Sequence, residues 1–307
     1  MKAMLCTKYG PPEVLRLREV KKPIPGPRDI LVRVHATTVT SGDCRVRGFR
    51  SPPLFWLPMR IVLGFTKPRK PILGVELAGE VEAVGRAVKL FKPGDRVFAM
   101  TGFRFGAHAE YALLSEGGAI ASLSDGVSYE EAASIPFGGT TALHFLRKGI
   151  IREGDKVLIY GASGAVGTAA VQLAKHFGAT VTGVCSAANA ELVRSLGADD
   201  VIDHTSEDFT ARSERYDLVF DAVGKTTKAA CRGVLAPNGR YVTVEGLDVA
   251  KELASDLEFL QSLLAAGKYK AVIDRRYPLE GIPDAHRYVE QGRKRGNVVI
   301  TVAHVIE

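Results

Sequence analysis

The run KVLIYGASGAVGTAAVQLAKHFGATVTGVCS, residues 156–186, constrains this chain more than any other. An apolar strand, Lys156–Tyr160, enters a loop of small residues. A helical period follows over Gly164–Gly178, then a second strand over Thr180–Cys185. Strand, tight loop, helix and strand in that order specify a βαβ unit with parallel strands. Within the loop, Ala162-x-Gly164-x-x-Gly167 is the dinucleotide-binding fingerprint with alanine at its first glycine, and Gly161 lies just upstream. The small residues from Gly161 through Ala162, Ser163, Gly164, Ala165 and Val166 to Gly167 let backbone approach a pyrophosphate at the helix N-terminus. Gly167 lets helix and strand pack closely.

The end of the second strand selects the dinucleotide. A carboxylate there would hold the ribose 2′-hydroxyl of NAD. This strand ends Val184-Cys185-Ser186, and the next acid, Glu191, falls inside the following helix. A hydroxyl without a carboxylate suits a 2′-phosphate, so the expected cofactor is NADP(H), with NAD(H) as the alternative.

Around this unit the texture is uneven. The first third is β-rich: Ile30–Val39 alternates and is β-branched, Glu76–Gly85 ends on a turn glycine, and Lys92–Met100 is a Pro-Gly-Asp turn entering a strand. From about Ser124, strands alternate with helices. A Ser128–Glu131 capping box opens the first helix, and Asn189–Gly197, Asp200–Asp203, Tyr216–Val223 and Gly239–Val244 continue the alternation. A last helix, Leu253–Gly267, leads to two further strands. One segment fits neither half. Ser51–Phe65 holds the only tryptophan and several prolines, and is too short and broken to span a membrane. It is expected to cover a core, to close as an apolar lid over a substrate, or to dock a surface.

Composition narrows the function classes. The 307 residues carry 41 Lys+Arg against 34 Asp+Glu, a net charge of +7. The basic clusters are short and no basic helix is interleaved with aromatics, so nucleic acid is not the expected partner. Cys6, Cys44, Cys185 and Cys231 are far apart and form no CxxC, which gives no disulfide framework and no zinc knuckle. The N-terminus lacks a signal-peptide core and no apolar run reaches 18 residues, so a cytoplasmic protein without a membrane span is expected.

With these elements in place, the chain resembles the medium-chain dehydrogenase/reductase superfamily, in its zinc-free quinone oxidoreductase branch. The resemblance is carried by YGPPEVLRL, PILGVELAGEVEAVG, FKPGDRVF, AEYALL, EEAASIPFGGTTAL, the glycine loop, LGADDVID, YDLVFDAVG and RGNVVI. It implies an α/β fold in which a GroES-like β domain (1–123 with a C-terminal return, 267–307) carries an inserted Rossmann-type parallel-sheet domain (124–266). Zinc-using relatives place a Cys ligand in a CxxD pattern, and Thr40-Ser41-Gly42-Asp43 has threonine there. Their Gly-His-Glu is Gly74-Val75-Glu76, so the His ligand is valine. No zinc is expected.

The resemblance also nominates residues. Thr40, Asp43 and Thr141 are the catalytic candidates: Thr40 stands where many relatives have a substrate-facing Asn, and Thr141 matches a threonine near the nicotinamide. Ala222, Val223 and Gly224 match the loop beside the nicotinamide ribose. Asn297 and Asn189 occupy places where relatives often have lysines on the cofactor. Phe55, Trp56, Phe103 and Phe105 are candidates for an apolar substrate pocket. Without a Lewis acid, hydride transfer favours an acceptor whose conjugation stabilises the developing enolate. The expected activity is NADPH-dependent reduction of a small-molecule quinone or α,β-unsaturated carbonyl. The alternatives are a 2-enoyl-thioester reductase and a nucleotide-binding interaction protein with little activity. Relatives usually add a sixth strand that pairs across a homodimer. Here GLDVAKELASDLEFL links the TVEG strand almost directly to the final helix, so a homodimer stays open.

Overall fold

The structure, a computed structural model, describes residues 1–50, 56–246 and 248–304. The chain divides into two compact units: Met1–Pro136 with Glu252–Gln261 and Ile273–Glu307, and Phe137–Lys251 with Ser262–Val272.

The first unit opens with an antiparallel pair, β1 (Lys2–Cys6) and β2 (Leu15–Glu19). The β-branched run expected as a strand is β3 (Asp29–Thr38). Two short helices follow, α1 (Ser41–Gly48) and α2 (Trp56–Leu63). Then come β4 (Glu76–Val84), β5 (Arg96–Met100), β6 (Tyr111–Ser115), β7 (Ile120–Ser122) and α3 (Tyr129–Ala133). The Ser128–Glu131 capping box is present at α3. This helix, placed by the sequence reading at the start of the second domain, packs on β3, β4 and β5 of the first unit.

The second unit continues with α4 (Pro136–Lys148), β8 (Lys156–Tyr160), α5 (Ala165–His176), β9 (Thr180–Cys185), α6 (Ala190–Ser195), β10 (Asp200–Asp203), β11 (Tyr216–Asp221) and β12 (Leu235–Thr243). Among the described residues its sheet has five parallel strands in the order β10-β9-β8-β11-β12, which is the doubly wound arrangement. β12 begins four residues earlier than the sequence pattern suggests. Pro237-Asn238-Gly239 looks like a turn, but the strand carries Asn238 at φ 64° and the register against β11 shifts between Tyr216 and Leu218. The turn signal marks a bulge inside a strand.

After α7 (Ala254–Ala265) the chain forms β13 (Ile273–Pro278), α8 (Ile282–Glu290) and β14 (Asn297–Thr301). β14 pairs antiparallel with β3, so the C-terminal strands complete the seven-stranded sheet of the first unit. The core beneath joins Ile30, Val32 and Val34 to Leu77, Ile282 and Ile300. All four cysteines are buried and none forms a disulfide.

A neutral buried pair lies in this core. His286 of α8 is fully buried, with Nδ1 3.3 Å from the Cys44 Sγ, and its Nε2 has no hydrogen-bond partner among the described residues. Burial, helped by His108 and Arg47, holds its imidazole well below the ordinary 6.5. Burial also pushes the Cys44 thiol up to about 12, so the thiol keeps its proton. The unfolded chain takes up a proton at His286 near pH 6.5 and the native chain only at lower pH. The native advantage is therefore complete above about pH 6.5 and is lost as pH falls below it. Melting temperature should drop from about pH 7 to about pH 5.5, and His286→Phe should flatten that slope in calorimetry.

Candidate functional site

The second unit builds its site from two loops at the C-terminal ends of β8 and β11. Gly161 leaves β8 at φ 80°, a conformation that favours glycine. The Gly161 and Ala162 amides both donate to the Val184 carbonyl of β9, each at 3.0 Å. Gly164 caps α5 with no side-chain hydrogen bond, so first-turn amides of this helix lack an intrahelical acceptor and carry the positive end of its dipole. A Cβ on Gly167 would lie 2.1 Å from the Gly161 carbonyl oxygen and 2.8 Å from the Ala162 carbonyl carbon. Only glycine permits this approach. Ser163, Gly164, Ala165 and Val166 are half-buried, as the accessible rim of such a turn must be.

The second loop follows β11. Asp221 is fully buried and organises it. One carboxylate oxygen accepts from the Val223 and Gly224 amides at 3.1 and 2.8 Å, the other from the Thr226 amide at 2.8 Å and the Tyr241 hydroxyl at 3.4 Å. The Ala222 amide donates to the Tyr160 carbonyl at 3.0 Å. Val223 packs over Gly161, with Cγ1 2.6 Å from the place a Cβ would occupy there. The two loops thus meet where the strand order reverses, the usual ligand position in such sheets.

At the end of β9 the side chains are polar and uncharged. Asn189 Nδ2 donates to the Ser163 Oγ at 3.2 Å and the Ser186 Oγ at 3.3 Å, which ties the glycine loop to the next turn. Asp203, paired with Cys185 across β10 and β9, accepts from the Thr205 amide and hydroxyl and from the Ser206 hydroxyl. Those bonds hold its carboxyl below the usual range. Beside it a concavity of about 310 Å³ is lined by Tyr160 and residues 204–209, with the His204 and Phe209 rings 6.3 and 5.4 Å from the Tyr160 ring. Thr141 lies half-buried on α4, one turn beyond Gly138, where a Cβ would sit 2.6 Å from the Ala165 carbonyl oxygen.

The first unit places its candidates differently. Thr40 caps α1, and its hydroxyl accepts from the Asp43 amide at 3.1 Å. One Asp43 oxygen accepts from the Thr40 amide and hydroxyl at 2.8 and 2.7 Å, the other from the Gly74 amide at 3.0 Å. Both side chains are buried and engaged with each other. Phe105 is buried, and Phe103, largely exposed, meets it edge-on at 6.4 Å. Trp56 instead packs edge-on against Phe49 at 6.2 Å. Phe55 lies outside the described residues. Asn297 is buried at the start of β14.

The structure therefore brings together 161–167, Ser186, Asn189 and 222–224, and separately Thr40 with Asp43. The sequence reading missed Asp221, Tyr160 and His204. The signal for Asp221 was an acid ending an apolar strand, YDLVFD, where strand periodicity turns it inward. Among the described residues no group of three or more His, Cys, Asp or Glu is arranged to hold a metal ion.

A GroES-like β unit with a Rossmann-type unit defines an oxidoreductase using a nicotinamide cofactor, and comparison with known proteins agrees. The alcohol dehydrogenase GroES-like domain matches residues 26–125, and zinc-binding dehydrogenase domains match 165–272 and 248–300. The NADPH-dependent alkenal/one oxidoreductase of Arabidopsis thaliana is 32% identical, covering 98% of this chain and 79% of its own. The quinone oxidoreductase of Pseudomonas aeruginosa is 32% identical over 95% and 97%. The solved quinone oxidoreductase of Coxiella burnetii superposes with a TM-score of 0.84 at 27% identity, over 99% of both chains. The chain belongs to the medium-chain dehydrogenase/reductase superfamily, in its quinone oxidoreductase branch.

Two glycines separate binding from folding. A Cβ on Gly164 would meet only the Gly161 carbonyl oxygen, at 3.6 Å, whereas one on Gly167 would be driven into backbone. Gly164→Ala should keep its stability within about 0.5 kcal/mol yet weaken binding of the nicotinamide cofactor roughly tenfold in a fluorescence titration. Gly167→Ala should lose about 1–3 kcal/mol in thermal melts.

Proposed function

We propose that the chain is a zinc-independent, NADPH-dependent reductase of quinones or α,β-unsaturated carbonyls. The observation that carries this reading is the state of the two positions where zinc-using relatives have ligands. The Thr40 hydroxyl is closed in a capping box with Asp43, and Val75 offers no donor atom. A zinc ion needs three protein ligands and an open position, and these residues do not fit it.

NADPH fits the second unit. The small residues 161–167 and the uncapped N-terminus of α5 would take the pyrophosphate. Ser163, Ser186 and Asn189 present hydroxyl and amide groups, with no carboxylate of their own, to a 2′-phosphate. Tyr160 and His204 offer ring faces to adenine, and the Asp221-held loop 222–224 supports the nicotinamide ribose. Thr141 is assigned to the nicotinamide side on the family resemblance. The chemistry supplied by the bound cofactor is a hydride to an electrophilic carbon of the acceptor. Asp43 acts as a positioning residue that fixes Thr40 and Gly74. Phe103 and Phe105 give the acceptor an apolar wall. Orientation of two bound reactants then supplies most of the rate, and conjugation in the acceptor replaces the missing Lewis acid.

The test is oxidation of NADPH and NADH in parallel with 1,2-naphthoquinone, a 2-alkenal and an enone, using chelator-treated protein. NADPH turnover that survives chelation is expected. Activity restored only by zinc would overturn the metal-free reading. Turnover with NADH alone would overturn the assignment of the 2′-phosphate site. Tight NADPH binding with no acceptor turned over would favour an interaction protein.

Asn189 gives a sharper check. Asn189→Lys places a cation on the proposed 2′-phosphate, worth about 1 kcal/mol at a partly solvated site. KM for NADPH should fall about fivefold with that for NADH unchanged.

A further inference from the structure

The net charge of this chain has a single source. Residues 44–75 contain seven Lys or Arg and no Asp or Glu, out of 41 and 34 in the whole chain, so the remainder carries 34 of each. The same stretch contains α2, whose patterning is inverted. At 100° per residue Leu57, Pro58, Ile61 and Val62 share the outward arc, and Met59, Arg60 and Leu63 the inward one. A surface helix ordinarily turns polar residues outward. Here Leu57, Ile61, Val62 and the following Phe65 are each more than half exposed.

The helix is anchored from below. The Arg60 guanidinium lies 3.6 Å from the Phe49 ring centre, 4.8 Å from that of Tyr9 and 5.1 Å from that of Trp56. The Tyr9 hydroxyl donates to the Gly64 carbonyl at 3.0 Å. The turn after α2 folds back on it, with the Arg69 amide donating to the Leu63 carbonyl at 2.8 Å. That fold puts Lys67, Arg69 and Lys70, all exposed, at the end of the apolar arc. Glu290 pairs with Arg47 and Arg50, while Arg45, Lys67, Arg69 and Lys70 have no ion pair among the described residues.

We propose that α2 and its cationic margin dock this protein on anionic phospholipid bilayers, lying in the interface without spanning it. An apolar helical face with Trp at its edge, rimmed by Lys and Arg, matches a surface that is apolar beneath and negative above. A second copy of the chain is the poorer occupant, because a two-fold contact through this face would set the cationic stretch against itself. The inference does not depend on which acceptor is reduced.

The sole tryptophan, Trp56, reports on the patch directly. Full-length protein is mixed with vesicles of phosphatidylcholine alone or with added phosphatidylserine. Pelleting and a blue shift of tryptophan emission are expected with the anionic vesicles only, both reduced by high salt. Each cation near the surface changes partition about fivefold, so the triple variant Lys67→Glu, Arg69→Glu, Lys70→Glu should lose roughly a hundredfold or more. Ile61→Ser with Val62→Ser should weaken pelleting with the charge unchanged. All five substituted side chains are exposed, and thermal melts of the variants confirm their folding. Absence of pelleting, pelleting with unchanged tryptophan emission, or variants that bind like the parent would each overturn the proposal. So would sedimentation equilibrium showing a dimer that the Ile61/Val62 variant dissolves.

Discussion

The contact on which the second unit depends is the approach of Gly167 in α5 to the backbone of Gly161 and Ala162. With no room for a Cβ, helix and strand close to near backbone contact, and the first turn of α5 is held directly over the end of β8. The Val184 carbonyl takes the two amides that leave the strand, and no side chain caps α5. The first-turn amides have no intrahelical acceptor, and the site acquires positive potential from backbone alone. Asp221 does the complementary work on the neighbouring strand. Its carboxylate accepts from the amides of 223, 224 and 226 and so fixes that loop from within the fold.

The first unit closes its polar atoms around Thr40 and Asp43, although the buried His108 Nδ1 and His286 Nε2 have no hydrogen-bond partner among the described residues. Thr40, Asp43 and Gly74 satisfy one another, Thr38 donates to Glu76, and the Cys44–His286 pair is neutral. Closed hydrogen bonding around Thr40 and Asp43 leaves these two side chains few groups to donate to a reacting molecule. Such a pair is suited to positioning. On the proposed reading the reactive chemistry belongs to the dinucleotide, and the acceptor must carry its own electronic activation.

Much of this was legible in sequence, and the boundary is physical. β3, β8 and β9 follow from β-branched or continuous apolar runs, and the glycine loop from its spacing against the strand and helix beside it. Local rules govern these elements. The extent of β12 was not legible, because Pro-Asn-Gly signals a turn whether it ends a strand or bulges within one. The link from Asn189 to both Ser163 and Ser186 spans 26 residues on one side and three on the other, and only the fold brings the loops together. His286 and Cys44 are 242 residues apart, and nothing near either predicts a neutral buried pair. For Ser51–Phe65 the composition left three roles open. The structure excludes the buried one for most of α2, since Leu63 alone of its residues is fully buried.

That exposed helix and the proposed chemistry have a common physical logic. Quinones and long-chain enones are conjugated and apolar, and partition toward lipid by the same area term that drives apolar side chains out of water. An enzyme using them gains local concentration by resting where they dissolve. The cation belt supplies reach, because charge acts over about a Debye length whereas apolar contact acts only on touching. The apolar arc supplies residence once contact is made. Net charge spread evenly over the surface would give weaker steering and no orientation. Confined to one stretch and placed beside an apolar helix, the exposed cations Arg45, Lys67, Arg69 and Lys70 fix which face of the first unit meets the bilayer.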